Sequence, residues 1–223
     1  MQKKTLKVYW AGDLFDAKDL CGNMLLAAAV EKFSQNRYRI MLPQNGESEV
    51  VNRTSQSIRD ADFELLFNCD CIVANFDGTD LDSGTVVEFC FAKMVDMPAV
   101  LLRTDFRHSG DHELADGDPW NLMCSHYPRT RSVHLNAMVL YHDLQLNNSN
   151  NLTIMQEYLD RIAQEIVAAL DNVTACKSWL KTSELASQYE RAVKSIGGSL
   201  VERFDNMMGQ KLIEEKIFSG LFD

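Results

Sequence analysis

Along roughly the first 145 residues, short apolar runs alternate with longer stretches in which apolar residues return every three or four positions. Runs of the first kind predict buried strands, and the longer periodicity predicts helices. Leu6 to Trp10 reads as a strand, with Ala11 to Asp16 as the loop after it. From Asp19 to about Gln35, Leu20, Met24, Leu25, Ala28 and Phe33 recur near helical spacing. Arg39 to Pro43 predicts a second strand, Gln44 to Asn52 is polar, and Ser57 to Phe67 predicts a helix with Ile58, Ala61, Leu65 and Leu66 on its buried side. Asp70 to Phe76 is a run of β-formers that fits a strand buried on both faces.

That third strand ends in a polar, turn-forming loop of Asp77, Gly78, Thr79, Asp80, Asp82, Ser83 and Gly84. From Thr85, the residues Val86, Val87, Phe89, Phe91 and Ala92 predict a third helix, and Ala99 to Leu102 a fourth strand after Pro98. Val133 to Tyr141 is the expected last strand, although its alternation is poor. Strands and helices alternating at these lengths imply βαβ crossovers and a parallel sheet covered on both faces.

The pattern changes after Leu146 to Leu152, a stretch of Asn, Ser and Leu with the composition of a linker. Ile154, Tyr158, Ile162, Ile166 and Leu170 then step along one helix face, with Glu157, Asp160, Arg161 and Glu165 on the other. A further helical region carries Leu185, Tyr189, Val193, Ile196, Leu200, Phe204 and Met208, interrupted by Gly197 and Gly198. The expected organisation is a catalytic α/β unit over residues 1–145 and a helical extension over 146–223 that packs on the core or on another subunit.

Composition narrows the function. With 46% hydrophobic residues, 223 positions are ample for one sizeable core. A net charge of −10, from 32 acids against 22 Lys and Arg, argues against a face that tracks phosphate backbones, so nucleic acid is an unfavourable partner. The six cysteines show no C-x-x-C pair, and Cys69 and Cys71 share one strand face; reduced thiols and a cytoplasmic setting are expected. Neither a signal-type apolar region near Met1 nor a run of the roughly 20 apolar residues needed for a membrane span is expected.

The acid-rich loop lies at the carboxyl end of a strand, the edge where open parallel sheets bind ligands. Glu88, expected in the first helical turn, has two readings. Thr85-Val86-Val87-Glu88 fits the S/T-x-x-E capping box, in which the glutamate satisfies an orphan N–H. An ionised carboxylate at a helix start also suits a nucleophile. Asp77, Asp80, Asp82 and Glu88 together suggest a divalent cation, but no histidine is near in sequence, and solvation or capping explains an acidic turn as well. His108 and His112 have helical ligand spacing in a loop rich in Gly and Asp, which fits a solvated loop. No G-x-G-x-x-G, Walker A or G-x-S-x-G motif occurs, so dinucleotide, NTP and serine-nucleophile chemistry are not signalled.

The run NCDCIVANFDGTDLDSGTVVEFCFA, ending in D-x-G-T-x-x-E, resembles the signature of the nucleoside 2-deoxyribosyltransferase family. Lys7-Val8-Tyr9-Trp10-Ala11-Gly12 resembles that family's opening strand. Asp62 matches a position where some members carry an aspartate near the nucleobase, and Pro119-Trp120-Asn121-Leu122-Met123 resembles the P-x-N-L-M segment that completes a neighbouring subunit's site. The resemblance covers about residues 5–125 and implies a flavodoxin-like fold, a metal-free and cofactor-free transfer of the 2-deoxyribosyl group between nucleobases, and a homo-oligomer with shared sites. It implies Glu88 as nucleophile, Tyr9 holding its carboxylate, and Asp82, or secondly Asp62, as proton donor. Gly12, Asp62, Asp77, Asn121 and Met123 fall in the implied substrate-binding set. A nucleotide N-glycosidase of the same superfamily, and a non-catalytic nucleoside sensor or scaffold, are the alternatives.

Overall fold

The structure is a computed structural model describing residues 4–46, 53–107, 117–147, 150–205 and 209–222. Five strands, β1 (Leu6–Ala11), β2 (Tyr38–Met41), β3 (Cys71–Asn75), β4 (Ala99–Arg103) and β5 (Thr130–His134), form one sheet in the order β2-β1-β3-β4-β5. Every pairing is parallel. This is the flavodoxin-like order, with its switch point between β1 and β3. Val8, Tyr9 and Trp10 of β1, and Cys71 to Ala74 of β3, are fully buried, as expected of central strands covered on both faces.

Helices α1 (Ala17–Phe33) and α6 (Asn151–Ala175) pack together on one face; α3 (Ser55–Asn68) and α4 (Ser83–Met94) cover the other. Between these lie the short α2 (Pro43–Gly46) and α5 (Ala137–Asn147). The inward positions of α1 include Asn23, Ala27, Ala29 and Val30, and the small residues among them let α6 approach closely. On α3 the core side is Phe63, Leu66 and Phe67: of the expected stripe Leu66 is buried, whereas Ile58, Ala61 and Leu65 sit at the margin. The larger aromatic surfaces win the buried side, since they remove more apolar area from water.

Two further expectations are corrected. Val133 to Tyr141 is not a strand. Strand β5 ends at His134, and Ala137 onward is α5. The segment Leu146 to Leu152 is not a continuous linker either: α5 reaches Asn147 and α6 begins at Asn151, with Asn150 capping it through bonds from Leu152 N and Thr153 N. His108 and His112 lie outside the described residues.

The C-terminal residues form α7 (Leu185–Ile196), α8 (Ser199–Arg203) and α9 (Gly209–Ser219). Gly197 and Gly198 break the helix at positive φ, 72° and 67°, which glycine adopts without a Cβ clash. These helices are tied to the amino ends of the strands. Buried Asp96, just before β4, accepts from Arg129 Nη1 at 3.0 Å, Ser178 Oγ at 2.6 Å and Trp179 N at 3.0 Å. Lys216 of α9 donates to Cys69 O, and Arg129 Nη2 donates to Leu221 O at 2.9 Å. Tyr189 of α7 packs edge-on against Phe67, with ring centres 5.7 Å apart. The C-terminal helices therefore close the end of the sheet opposite the acid-rich loop.

Candidate active site

Strand β1 carries Tyr9 between Met41 of β2 and Ile72 of β3. Its ring is fully buried, and its hydroxyl donates to Glu88 Oε1 at 2.5 Å. Glu88 reaches it because the buried stripe of α4 runs through Thr85, Phe89 and Ala92, and Glu88 stands three residues after Thr85 and four before Ala92. It belongs to the second turn of α4, not the first. Asp82 is the N-cap, and its Oδ2 accepts from Thr85 N at 2.7 Å and Thr85 Oγ1 at 2.9 Å. The expected Thr85–Glu88 capping box does not form, because the helix starts at Ser83 and Asp82 already serves the orphan amides.

Burial pushes the Glu88 carboxyl up to about 7; the Tyr9 hydrogen bond pulls it down, and the charges of Asp62 and Asp82 push it up again. Burial, and then the Glu88 charge, hold the Tyr9 phenol well above its ordinary range, so it is a proton-bearing donor at neutral pH. A carboxylate shifted this far by desolvation and like charge, beside an oriented donor, is typical of reactive sites.

The neighbouring acids divide their work. Asp77 braces two strand ends: Oδ1 accepts from Thr104 N and Asp105 N at 2.5 and 2.8 Å, and Oδ2 from Thr104 Oγ1 at 2.7 Å. It also lines a cavity of about 740 Å³ with Asp13, Asn23, Asn75 and Gly78. Asp13 was not singled out from the sequence. Burial, followed by the charges of Asp82, Asp19, Asp77 and Asp16, raises its pKa, and its backbone is fixed by a relay in which Trp10 Nε1 donates to Asn23 and Asn23 Nδ2 donates to Asp13 O, each at 2.9 Å. The only sequence signal for it was its place at the end of β1. At Gly12 an added Cβ would come within 3.1 Å of Asn75 Cβ, so glycine lets the ends of β1 and β3 approach. Among the described residues, no three His, Cys, Asp or Glu side chains gather to hold a metal ion.

Tyr9, Asp62 and Asp82 thus each act on Glu88 across β1, α3 and α4. Asn121 and Met123 do not join them within the chain. They line a separate groove of about 660 Å³ with Asp80, Ser83 and Val87; Asn121 Oδ1 accepts from Met123 N at 3.0 Å, and Met123 is 70% exposed. The groove is anchored from behind by Trp120, buried edge-on against Phe76 at 5.3 Å.

The family model described as nucleoside 2-deoxyribosyltransferase matches residues 8–123. The chain belongs to the nucleoside 2-deoxyribosyltransferase family. The matched residues run from β1 through Met123 and so include Tyr9, Asp62, Asp82 and Glu88. Among solved structures, the chain is similar to a conserved protein from Enterococcus faecalis V583, with 26% identity and a TM-score of 0.50, covering 64% of this chain and 99% of that one. It is also similar to a 2-deoxyribosyltransferase from the psychrotolerant bacterium Bacillus psychrosaccharolyticus, at 15% identity and a TM-score of 0.44, covering 66% of this chain and 95% of that one. No curated protein sequence matches. No described helix of this deoxyribosyltransferase-family chain is long and apolar enough to cross a membrane.

Proposed function

We propose that this protein moves the 2-deoxyribosyl group of a nucleoside from one nucleobase to another, through an ester on Glu88. The observation that carries the reading is the Tyr9–Glu88 pair, a desolvated carboxylate held by a buried phenol and under the charges of Asp62 and Asp82. A Glu88 oxygen attacks the anomeric carbon and forms the C–O bond of a glycosyl ester. The glycosidic C–N bond breaks, its electron pair leaving with the base, and Asp82 supplies the proton that makes the base neutral. Asp82 Oδ2 is committed to the helix cap, which leaves Oδ1 for this transfer. An incoming base attacks the same carbon, returns its proton to Asp82 and frees Glu88. Water in place of the second base gives hydrolysis.

Asn121 and Met123 lie outside their own chain's Glu88 cluster, and by family resemblance they complete the site of an adjacent copy. The reading is tested by incubating the protein with deoxyinosine, with and without adenine, and resolving the products. Deoxyadenosine formed only when adenine is present supports transfer. Hypoxanthine release at an equal rate in both, with no deoxyadenosine, identifies a hydrolase, and unchanged substrate rejects catalysis.

A further inference from the structure

The family match ends at residue 123, yet the chain beyond it grips the two helices whose acids bear on Glu88. Helix α3 carries Asp62, and α4 carries Asp82 at its cap and Glu88 itself. Phe63 of α3 packs edge-on against Phe91 of α4, with ring centres 5.0 Å apart, so the two helices share a seam. Helices α7 and α8 hold that seam from outside.

Gly198 opens α8 and has no side chain to cap it, so α3 supplies the cap. Asp60 of α3, fully buried, accepts on Oδ2 from Ser199 N and Ser199 Oγ, each at 2.8 Å, and on Oδ1 from Arg59 at 2.7 Å. A Cβ on Gly198 would fall 2.4 Å from Asp60 Oδ2, and its φ of 67° is one that glycine adopts freely, so only glycine lets α8 sit this close. Arg203 pairs with Glu64, and its Nη2 donates to Ser199 Oγ at 3.2 Å. Asp60 and Glu64 stand on either side of Asp62 in the helix, so both anchors fix the stretch of α3 that presents it. Helix α7 and the residues before it hold α4 in turn. Gln188 Nε2 donates at 2.6 Å to the carbonyl of Met94, the last residue of α4, and Asp96 just beyond accepts from Ser178 and Trp179.

Groups committed to one another in this way are spent as ligands for anything else, and their consequence is positional. The groups that face Glu88 are Tyr9 from β1, Asp62 from α3 and Asp82 from its own helix. The sheet register fixes Tyr9, and the helix cap fixes Asp82. The distance of the Asp62 charge from Glu88 is set instead by how α3 lies on α4. We propose that the C-terminal segment is a working part of the catalytic centre: through the joint of Gly198 and Ser199 with Asp60, α8 holds α3 where the Asp62 carboxylate bears on Glu88. Asp60, Gly198 and Ser199 are then positioning residues that act through Asp62. The consequence for turnover rests on the reading of Glu88 as the nucleophile.

Loosening the joint in the full-length chain tests it. Ser199→Ala removes the hydroxyl and keeps the amide bond to Asp60, Gly198→Ala forces the two helices apart, and Ser199→Thr retains both bonds. Burial and then the charges of Asp62 and Asp82 hold the Glu88 carboxyl up against the pull of Tyr9, so drawing Asp62 away lets Glu88 ionise at lower pH. The rising limb of base release from deoxyinosine should move down by about half a pH unit in Ser199→Ala and further in Gly198→Ala, and stay in place in Ser199→Thr. Carbon-13 NMR titration of the Glu88 carboxyl, assigned by its loss in Glu88→Gln, should show the same shifts without turnover. In an Asp62→Asn background, Ser199→Ala should lose most of its effect. A limb and a titration unmoved in folded Ser199→Ala overturn the proposal, as does a shift just as large without the Asp62 carboxylate. Ser199→Ala decides alone if Gly198→Ala does not fold. If the wild type cleaves no nucleoside, the base-exchange reading fails on its own, and the carbon-13 titration still upholds or overturns the joint.

Discussion

At the scale of single residues, two opposed demands meet on Glu88. Folding raises its pKa from 4.5 to about 7, so the native state holds a proton that the unfolded chain has released. Stability therefore falls as pH rises from about 4.5 to 7 and is level above that. Glu88→Gln removes the penalty, keeps an oxygen for the Tyr9 hydroxyl, and should be the more stable protein at pH 8 by up to about 3 kcal/mol, with the gain gone by pH 4. Urea melts at the two pH values check this. The same variant should release no base, because an amide cannot form the ester. In the wild type, base release in a single turnover should climb with pH toward about 7, as the nucleophile ionises. The Tyr9 bond lowers the Glu88 pKa, so Tyr9→Phe should move that limb to higher pH and slow base release at pH 7 by about tenfold. A limb that stays in place separates the phenol from the nucleophile.

At the scale of an element, the start of α4 decides what each carboxylate is free to do. Asp82 holds the N-cap, which releases Glu88 to face β1. Asp82→Asn retains an oxygen for Thr85 N and should fold with nearly wild-type stability, whereas Asp82→Ala should cost about 1 kcal/mol. Both should lose base release if the second oxygen is the proton donor. Asp82→Asn that stays active would leave Asp82 with its capping role alone and move proton donation to Asp62 or to the half-buried Asp13.

At the scale of the molecule, the C-terminal helices are held by buried charge as well as apolar contact. Arg129 and Asp96 are both buried, and Ser178 and Trp179 reach the same carboxylate. Removing one partner of such a pair leaves the other uncompensated, so Arg129→Met should cost about 3–5 kcal/mol in denaturant unfolding. Asp96 sits at a φ of 56°, which asparagine tolerates, and adding Asp96→Asn should recover part of that loss. Between chains, the exposed Asn121 and Met123 supply a different test. Glu88→Gln and Asn121→Ala, each inactive alone, should regain exchange when mixed if one copy completes the other's site. A mixture as inactive as its parts would place Asn121 in its own chain's chemistry or outside it.

The sequence by itself determined the alternation of strands and helices, the strand bearing Tyr9, and the Asp82–Glu88 spacing, because periodicity and turn chemistry record local geometry. It misread the end of the sheet for a physical reason. Edge strand β5 buries only Val133, so it has no apolar run, while the expected strand, Val133 to Tyr141, leaves β5 at His134 and runs into a helix from Ala137. The competition between Asp82 and Thr85 for the cap was equally invisible, since either residue type serves and only the first turn of α4 shows which one does. The pairing of Tyr9 with Glu88, 79 residues apart, was legible only through the family resemblance, and tertiary structure alone decided that of Asp96 with Ser178, 82 apart. It also brought Asp13 toward Asp82 and set α8 against α3. Burial of a polar group obliges it to find a partner, but which distant residue answers depends on how the sheet and its helices pack.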